Sequence, residues 1–120
     1  MRNLLTPSLA LLLLCSACSK KITQTGKASF YGDSFDGKKT ASGEIFHQNS
    51  MTAAHPSLPF GTKIRVTNIA NGRSVKLKVN DRGPFTKGRI IDVSRKAAGK
   101  LGMISTGTAT VEVTYKKRKH

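Results

Sequence analysis

The chain contains no tryptophan, two cysteines and six acidic residues among 120 positions, against 21 lysines and arginines. Both cysteines, Cys15 and Cys18, lie near the N-terminus, so no disulfide can form within the rest of the chain. A length of 120 residues is enough for one small domain and excludes a large two-domain enzyme. Two tyrosines, five phenylalanines and 38% hydrophobic residues exclude a purely disordered basic tail.

Long hydrophobic runs are also missing. The main apolar run, residues 9–14, is too short to span a bilayer core of roughly 30 Å, which argues against a permanent transmembrane anchor. Arg2 precedes this run and small residues follow it. The pattern favours a secretory signal peptide over residues 1–17 and therefore predicts an exported protein.

The residues around Cys18 indicate how the exported chain is held. Ser16 and Ala17 directly before Cys18 resemble a bacterial lipobox, in which the cysteine is acylated, and Ser19 resembles the outer-membrane sorting default. We therefore expect a cell-envelope protein that is lipid-anchored to a membrane, the outer membrane facing the periplasm. Simple cleavage to a soluble form stays open, because Cys15 stands where Leu, Val or Ile is usual.

The formal net charge of +15 favours partners that are polyanions. The export signal selects among them: lipid head groups, lipopolysaccharide phosphates and cell-wall carboxylates are available, and nucleic acid is not the expected partner. Residues 116–120 are four basic residues and a histidine. They are predicted to form a solvated or membrane-surface tail with no catalytic role.

Alternation of apolar and polar residues is the dominant period between residues 26 and 115, after a polar tether at 19–25. It predicts strands around residues 64–66, 75–79 and 111–115, with a tight hairpin at Asn71 and Gly72. Only residues 94–101 have helical character, with Ser94 as N-cap and Gly102 as the stop. We predict an all-β domain, a small β-barrel with one short helix.

The candidate catalytic groups are found by elimination among six carboxylates. Asp33 and Asp36 lie in a loop bounded by glycines and are expected to form turns. Glu112 points outward from a strand, and Asp92 is expected to bond to the start of the helix. Glu44, in a loop beside a glycine, and Asp81 remain.

Asp81 follows an apolar strand and is itself followed by Arg82 and a Gly-Pro turn. Two interpretations are open: an Asp81–Arg82 pair that fixes the turn, or a catalytic carboxylate at the mouth of a barrel. His55 is a lone histidine, which is usually structural. His47 and His55 are eight positions apart without a nearby cysteine, so neither a metal nor another cofactor is expected.

Nine short motifs, in order along the chain, resemble the rare lipoprotein A family over nearly all of residues 26–115. They are 26–32 (GKASFYG), 40–44 (TASGE), 58–62 (LPFGT), 66–68 (VTN), 71–73 (NGR), 80–85 (NDRGPF), 89–94 (RIIDVS), 97–98 (AA) and 101–103 (LGM). The resemblance implies a six-stranded double-psi β-barrel, related to the expansin-type wall-loosening fold. It also implies a peptidoglycan lytic transglycosylase. Family members commonly append a sporulation-related repeat domain, and none is expected here.

The resemblance also implies site residues, since the family's functional carboxylates and histidine fall in the motifs of Glu44, His55 and Asp81. Lytic transglycosylation cleaves the β-1,4 bond between N-acetylmuramic acid and N-acetylglucosamine and leaves a 1,6-anhydro end. One carboxyl group can act as general acid and then as general base. We assign that role to Asp81, with Glu44 stabilising the oxocarbenium charge or sharing the proton. His55 would orient the carboxylate or bind the sugar.

Four further residues are candidates for substrate binding: Tyr31, Thr40, Arg82 and Phe85. For the two aromatics, packing in the core is the alternative. Two other function classes stay open, a non-catalytic glycan-binding or wall-loosening module and a protein that holds envelope polyanions by charge alone. We expect a monomer whose partners are peptidoglycan glycan strands and, through the lipid, the membrane.

Overall fold

Six strands form the domain in a computed structural model, which describes residues 20–117. Their bounds are β1 Lys20–Phe30, β2 Thr52–Ala54, β3 Lys63–Asn68, β4 Ser74–Asp81, β5 Arg89–Val93 and β6 Thr108–Lys117. One α-helix, α1, covers Arg95–Leu101, and a 3-10 turn covers Asp33–Phe35. No described helix is long and apolar enough to cross a membrane.

The strands close into a barrel in the order β1-β5-β2-β4-β3-β6. The β1–β5 and β2–β4 pairs are parallel, and the other four neighbours are antiparallel. Closure leaves the barrel without an open sheet edge. The prediction of a six-stranded barrel with one short helix is confirmed for the described residues.

The core lies inside the barrel because side chains alternate across each strand. In β3, Ile64 and Val66 are buried while Lys63 and Arg65 are exposed. Fully burying one such aliphatic side chain contributes about 1.5–3 kcal/mol. The largest buried residues are Phe46, Ile64, Leu77, Ile91, Leu101 and Met103.

Helix α1 is bounded as the sequence predicts. The Ser94 hydroxyl accepts a hydrogen bond from the Ala97 amide at 3.3 Å, which caps the first turn. Gly102 ends the helix in the left-handed region, with φ +71°. Ala97, Ala98 and Leu101 are buried against the barrel core, so the helix adds one apolar face to it.

The boundaries of the domain are wider than predicted. The expected tether, residues 19–25, is largely strand, because β1 pairs with β6 in continuous register from Lys20–Lys117 to Ser29–Thr108. Backbone pairing with a neighbouring strand overrides the polar composition that favoured a tether. Lys116 and Lys117, expected in the basic tail, likewise end β6. The predicted signal peptide, Cys18 and residues 118–120 lie outside the described residues.

The loop between β3 and β4 differs from the tight hairpin predicted at Asn71 and Gly72. Gly72 has φ +75°, whereas Asn71 is not in the left-handed region, and the loop spans residues 69–73. The Asn71 side chain accepts a hydrogen bond from the Arg73 amide at 2.9 Å and donates one to the Leu101 carbonyl at 3.0 Å. These bonds stabilise a longer loop that ties the hairpin to the end of α1.

Candidate active site

Asp81 lies at the last position of β4, and both of its carboxylate oxygens are held by donors. Oδ2 accepts a hydrogen bond from the Tyr31 hydroxyl at 2.6 Å. Oδ1 accepts from the Ala41 amide at 2.8 Å and from the Arg82 amide at 2.9 Å. Three chain segments therefore fix the orientation of one half-buried acidic group.

Tyr31 follows directly after β1 and lies in an aromatic cluster. Its ring stacks on Phe46, with centroids 4.1 Å apart, and meets the edge of Phe35 at 5.7 Å. Burial, followed by the hydrogen bond to Asp81, raises the pKa of the Tyr31 phenol far above its ordinary value. Tyr31 is thus neutral and donates a hydrogen bond to Asp81. Its ring packs against two phenylalanines, while its hydroxyl lies at the candidate site.

The loop at residues 40–44 brings Glu44 to the same end of β4. The Thr40 amide and hydroxyl donate to the Glu44 carbonyl at 2.7 and 3.1 Å, and Gly43 turns the chain with φ +93°. The Ser42 amide donates to the Asn80 carbonyl at 3.3 Å, which joins the loop to the strand. Thr40, a predicted substrate ligand, is buried and bonded within this loop.

The Glu44 carboxylate is exposed and paired. Its Oε2 is 2.9 Å from Lys78 Nζ, and its Oε1 accepts from Asn80 Nδ2 at 3.1 Å. The hydrogen bond from Lys78, followed by that from Asn80, lowers the pKa of Glu44 below its ordinary value. Glu44 is therefore a carboxylate anion near neutral pH.

His55 is 3% exposed and both of its ring nitrogens are occupied. Nδ1 lies 3.1 Å from the amides of Ser57 and Leu58, which makes it an acceptor and assigns the proton to Nε2, 3.0 Å from Gln24 Oε1. Burial, then the charge of Arg82, lowers the pKa of His55. The ring makes no hydrogen bond to the Asp81 carboxylate. Only the backbones meet, where the His55 amide donates to the Asp81 carbonyl at 3.1 Å.

Arg82 does not form the ion pair with Asp81 that one interpretation of the sequence required. Its guanidinium donates to the Leu58 carbonyl at 2.8 Å and lies 4.1 Å from the centroid of the Phe60 ring. Asp81 Oδ1 instead accepts a hydrogen bond from the backbone amide of Arg82. Arg82 thus holds the 55–60 loop and leaves the carboxylate facing Tyr31 and Ala41.

Phe85 is 81% exposed, so the core-packing alternative is wrong for this residue. It lies in the connection between β4 and β5, where Gly83 and Pro84 are buried and residues 85–88 are exposed. Phe60 is also exposed, at 43%. Both rings are exposed aromatic surfaces of the kind that binds the apolar face of a ligand, and Arg82 covers one side of the Phe60 ring.

Asp92 also differs from its prediction. Its Oδ1 accepts from Ser29 Oγ at 2.6 Å and from Arg89 at 2.7 Å, and it does not bond to the start of α1. The helix start is capped by Ser94, and Gln48 Oε1 accepts from the Arg95 amide at 2.8 Å. Asp92 is held by the parallel β1–β5 pair, in which Ser29 and Asp92 are register partners.

Two site residues were missed by the sequence analysis. Lys78 and Asn80 bind Glu44 from β4, and Asn80 is 3% exposed with its Oδ1 lacking a hydrogen-bond partner. They are 34 and 36 positions from Glu44 in the chain. In the sequence, Lys78 and Asn80 were marked only by their place near the polar end of an otherwise apolar strand. No cluster of three metal-ligating side chains occurs between residues 20 and 117.

His55→Ala is expected to lower the free energy of unfolding by about 1–3 kcal/mol, since it removes a buried ring and takes the acceptor away from the amides of exposed Ser57 and half-buried Leu58. His55→Asn places an oxygen near the position of Nδ1 and is expected to recover most of the loss. Urea unfolding of the three proteins measures the difference. Equal losses in the Ala and Asn variants would contradict the role of Nδ1.

Burial of His55 and the nearby charge of Arg82 set the sign of a pH effect. The folded state lowers the pKa of His55, so as pH falls below about 6.5 the unfolded chain binds the proton first. The stability contributed by neutral His55 is therefore present above about pH 6.5 and is lost as pH falls through the lower folded pKa. The His55→Asn variant is expected to lack this part of the acid destabilisation.

The chain is similar to proteins that are already known. The model of the lytic transglycolase family matches residues 23–113. "Probable endolytic peptidoglycan transglycosylase RlpA" from Nostoc sp. is 58% identical over 99 residues, 81% of this chain and 27% of that protein. "Endolytic peptidoglycan transglycosylase RlpA" from Neisseria meningitidis serogroup B is 55% identical over 93 residues, 78% of this chain and 39% of that protein. The chain thus spans well under half the length of these two relatives.

Solved structures share the fold. The Streptomyces papain inhibitor superposes with a TM-score of 0.63 at 25% identity, covering 81% of this chain and 96% of the inhibitor. An expansin from Clavibacter michiganensis superposes with a TM-score of 0.60 at 21% identity, covering 82% of this chain and 52% of the expansin. The match across residues 23–113 covers most of the barrel, and the chain belongs to the lytic transglycolase family, with the double-psi β-barrel that its motifs predicted.

Proposed function

We propose that this domain is a peptidoglycan lytic transglycosylase that cleaves the β-1,4 bond between N-acetylmuramic acid and N-acetylglucosamine. The observation that carries the proposal is the Asp81 carboxylate at the end of β4, oriented by Tyr31 and two backbone amides. The ionised Glu44 lies on the loop that supplies one of these amides. The names of the relatives support the same reaction class.

In the proposed reaction Asp81 begins as the carboxylic acid and gives its proton to the glycosidic oxygen, whose bond to the anomeric carbon breaks. The 6-hydroxyl of the muramic acid then forms a bond to that carbon and gives its proton to the Asp81 carboxylate. The products are a 1,6-anhydro end and a new 4-hydroxyl. Asp81 thus gives up one proton and later recovers one, and the reaction consumes no water.

The neighbouring residues act through charge and position. Glu44, kept ionised by Lys78 and Asn80, stabilises the positive charge that develops at the anomeric carbon. The Tyr31 hydroxyl and the Ala41 amide keep the Asp81 carboxyl group from rotating away from the glycosidic oxygen. His55 contributes by fixing the adjacent loop and does not take part in proton transfer.

The test is incubation of the purified protein with peptide-free glycan strands, followed by mass spectrometry of the products. Fragments with 1,6-anhydro ends support the proposal. Fragments with reducing ends indicate hydrolysis instead, which in glycosidases normally needs two carboxylates. Intact strands that still sediment with the protein indicate a binding module.

A second candidate function is that non-catalytic glycan-binding or wall-loosening module. The observation that favours it is the exposure of Phe60 and Phe85, which offers stacking surface to sugar rings. In that case Asp81 and Glu44 would only hydrogen-bond hydroxyl groups. Strand cleavage by the wild-type protein separates the two functions.

We also propose that the protein is a monomer attached to the cell envelope through acylated Cys18, on the periplasmic face of the outer membrane. The sequence before Cys18 supports export, and several acyl chains would make the attachment long-lived. Cys18→Ser is expected to move the protein from the membrane fraction to the soluble fraction. An unchanged membrane fraction, or a mature mass without lipid in the wild type, would contradict the anchor.

A further inference from the structure

The outer face of the β3–β4 pair carries four cations in two directly opposed pairs. Lys63 is the register partner of Lys78, and Arg65 is the register partner of Lys76. All four alternate with buried residues and therefore point away from the barrel core. We name these four residues the cationic quartet.

Like charges at directly opposite positions of an antiparallel pair destabilise it, because their Cβ atoms are only about 4.5–5.5 Å apart. Among the described residues only Lys78 of the quartet lies within ion-pair distance of a carboxylate, that of Glu44. Glu112 of β6 is the register partner of Thr67 and, within residues 20–117, forms no ion pair with the quartet. The fold thus holds opposed cations that its own side chains leave largely uncompensated.

The cationic surface extends along β6, which pairs with β3 on the other side. Arg65 is opposite Thr114, and Lys116, two positions further along β6, is opposite Lys21 of β1. Both lysines are exposed. The cations therefore follow four adjacent strands of a closed six-stranded barrel.

The quartet is continuous with the candidate active site, because Lys78 belongs to both. Its ammonium lies 2.9 Å from Glu44 Oε2, at the junction of β4 and the 40–44 loop. A ligand bound along Lys63, Arg65 and Lys76 would reach the site by way of Lys78. This continuity favours a ligand that is part of the substrate over an unrelated anion.

We propose that the cationic quartet is an exosite that binds free carboxylate groups of the glycan strand beyond the bond being cleaved. The inference rests on the proposed function and adds its substrate class, strands that carry unmodified carboxyl groups. Neighbouring cations about 5 Å apart across the strands, and about 7 Å apart along them, match one or two carboxylates. Curvature argues against a flat lipid surface, since cations spread over four of six barrel strands cannot all contact one plane.

The test uses a double variant, Lys63→Gln with Lys76→Gln, which leaves Lys78 and the site intact. The matched control, Lys96→Gln with Lys100→Gln, removes the same charge from two exposed lysines of α1. Binding is measured by co-sedimentation with glycan strands whose carboxyl groups are free or converted to amides. Vesicles of anionic phospholipid are the third ligand, and turnover is followed by anhydro-end formation.

The quartet variant is expected to bind free-carboxyl strands about five- to tenfold more weakly than wild type, with kcat within about twofold. The difference is expected to vanish on amidated strands and to shrink between about 50 and 300 mM salt. The control is expected to bind free-carboxyl strands within about twofold of wild type. Three results would overturn the exosite. They are equal binding of free-carboxyl strands by the two variants, an equal loss of binding to amidated strands in the quartet variant, and a loss of binding to vesicles alone. Absence of anhydro ends with the wild type would instead reject the proposed function and leave the binding comparison readable.

Discussion

Replacing Asp81 with asparagine is expected to lower kcat for strand cleavage by about 10²–10⁴-fold while leaving the fold unchanged. The amide oxygen of asparagine can still accept from the Ala41 and Arg82 amides, which hold Oδ1 at 2.8 and 2.9 Å. The amide group can neither give a proton to the glycosidic oxygen nor take one from the 6-hydroxyl. Geometry is kept and proton transfer is lost.

The measurement is the rate of formation of 1,6-anhydro ends, together with circular dichroism and urea unfolding to verify the fold. The matched control is Asp36→Asn, because the Asp36 carboxylate accepts from the Gln48 amide at 3.0 Å and asparagine can also accept that bond. The control is expected to retain full activity. An Asp81→Asn protein with more than about a tenth of the wild-type rate would exclude Asp81 as the acid and base.

The strands predicted from alternation, β3, β4 and β6, could be predicted because each has one buried face. Ile64 and Val66 alternate with polar residues, as do Val111 and Val113. A two-residue period of apolar positions is the sequence pattern that burial of one face of a strand produces. The order of the strands could not be predicted from alternation, since the parallel β1–β5 and β2–β4 pairs depend on contacts between distant segments. The sequence pattern therefore predicted a small β-barrel, whereas the six-stranded double-psi topology came from the family resemblance.

The ends of strands were harder to predict because pairing there depends on partners far away along the chain and not on a local pattern. Residues 20–25 of β1 have a mostly polar composition, and their partners in β6 lie about ninety positions away along the chain. The turn at Asn71 shows the same limit. Local preference favoured a tight hairpin, while the Leu101 carbonyl draws the asparagine side chain into a longer loop.

The acidic residues of the candidate site could be selected from sequence because the alternatives were few, but their environments could not. Asp81 is oriented by Tyr31, fifty positions away, and not by the adjacent Arg82 side chain. His55 has its ring committed to Gln24 and to its own loop. Tyr31 and Gln24 are brought to these partners by the way the barrel closes, which no local pattern encodes.

Glu44→Gln is the second large expected effect, a fall in kcat of about 10²-fold with little change in stability. Glutamine keeps the shape of the side chain and the oxygen that accepts from Asn80 Nδ2, but it removes the negative charge. That charge is the group that stabilises the developing positive charge at the anomeric carbon. The control is Glu112→Gln, which removes an exposed carboxylate from β6. Equal rates in the two variants would show that Glu44 has no electrostatic part in the reaction.

A pH profile tests the same role through Lys78. The hydrogen bond from Lys78 is the largest cause that lowers the pKa of Glu44, so Lys78→Gln is expected to raise that pKa toward its ordinary value. Activity that needs the Glu44 anion is present above this pKa and is lost as pH falls through it. The acid limb of kcat against pH should therefore move to higher pH in Lys78→Gln and be absent from the residual activity of Glu44→Gln. An acid limb that stays in place in Lys78→Gln would mean that a group other than Glu44 sets it.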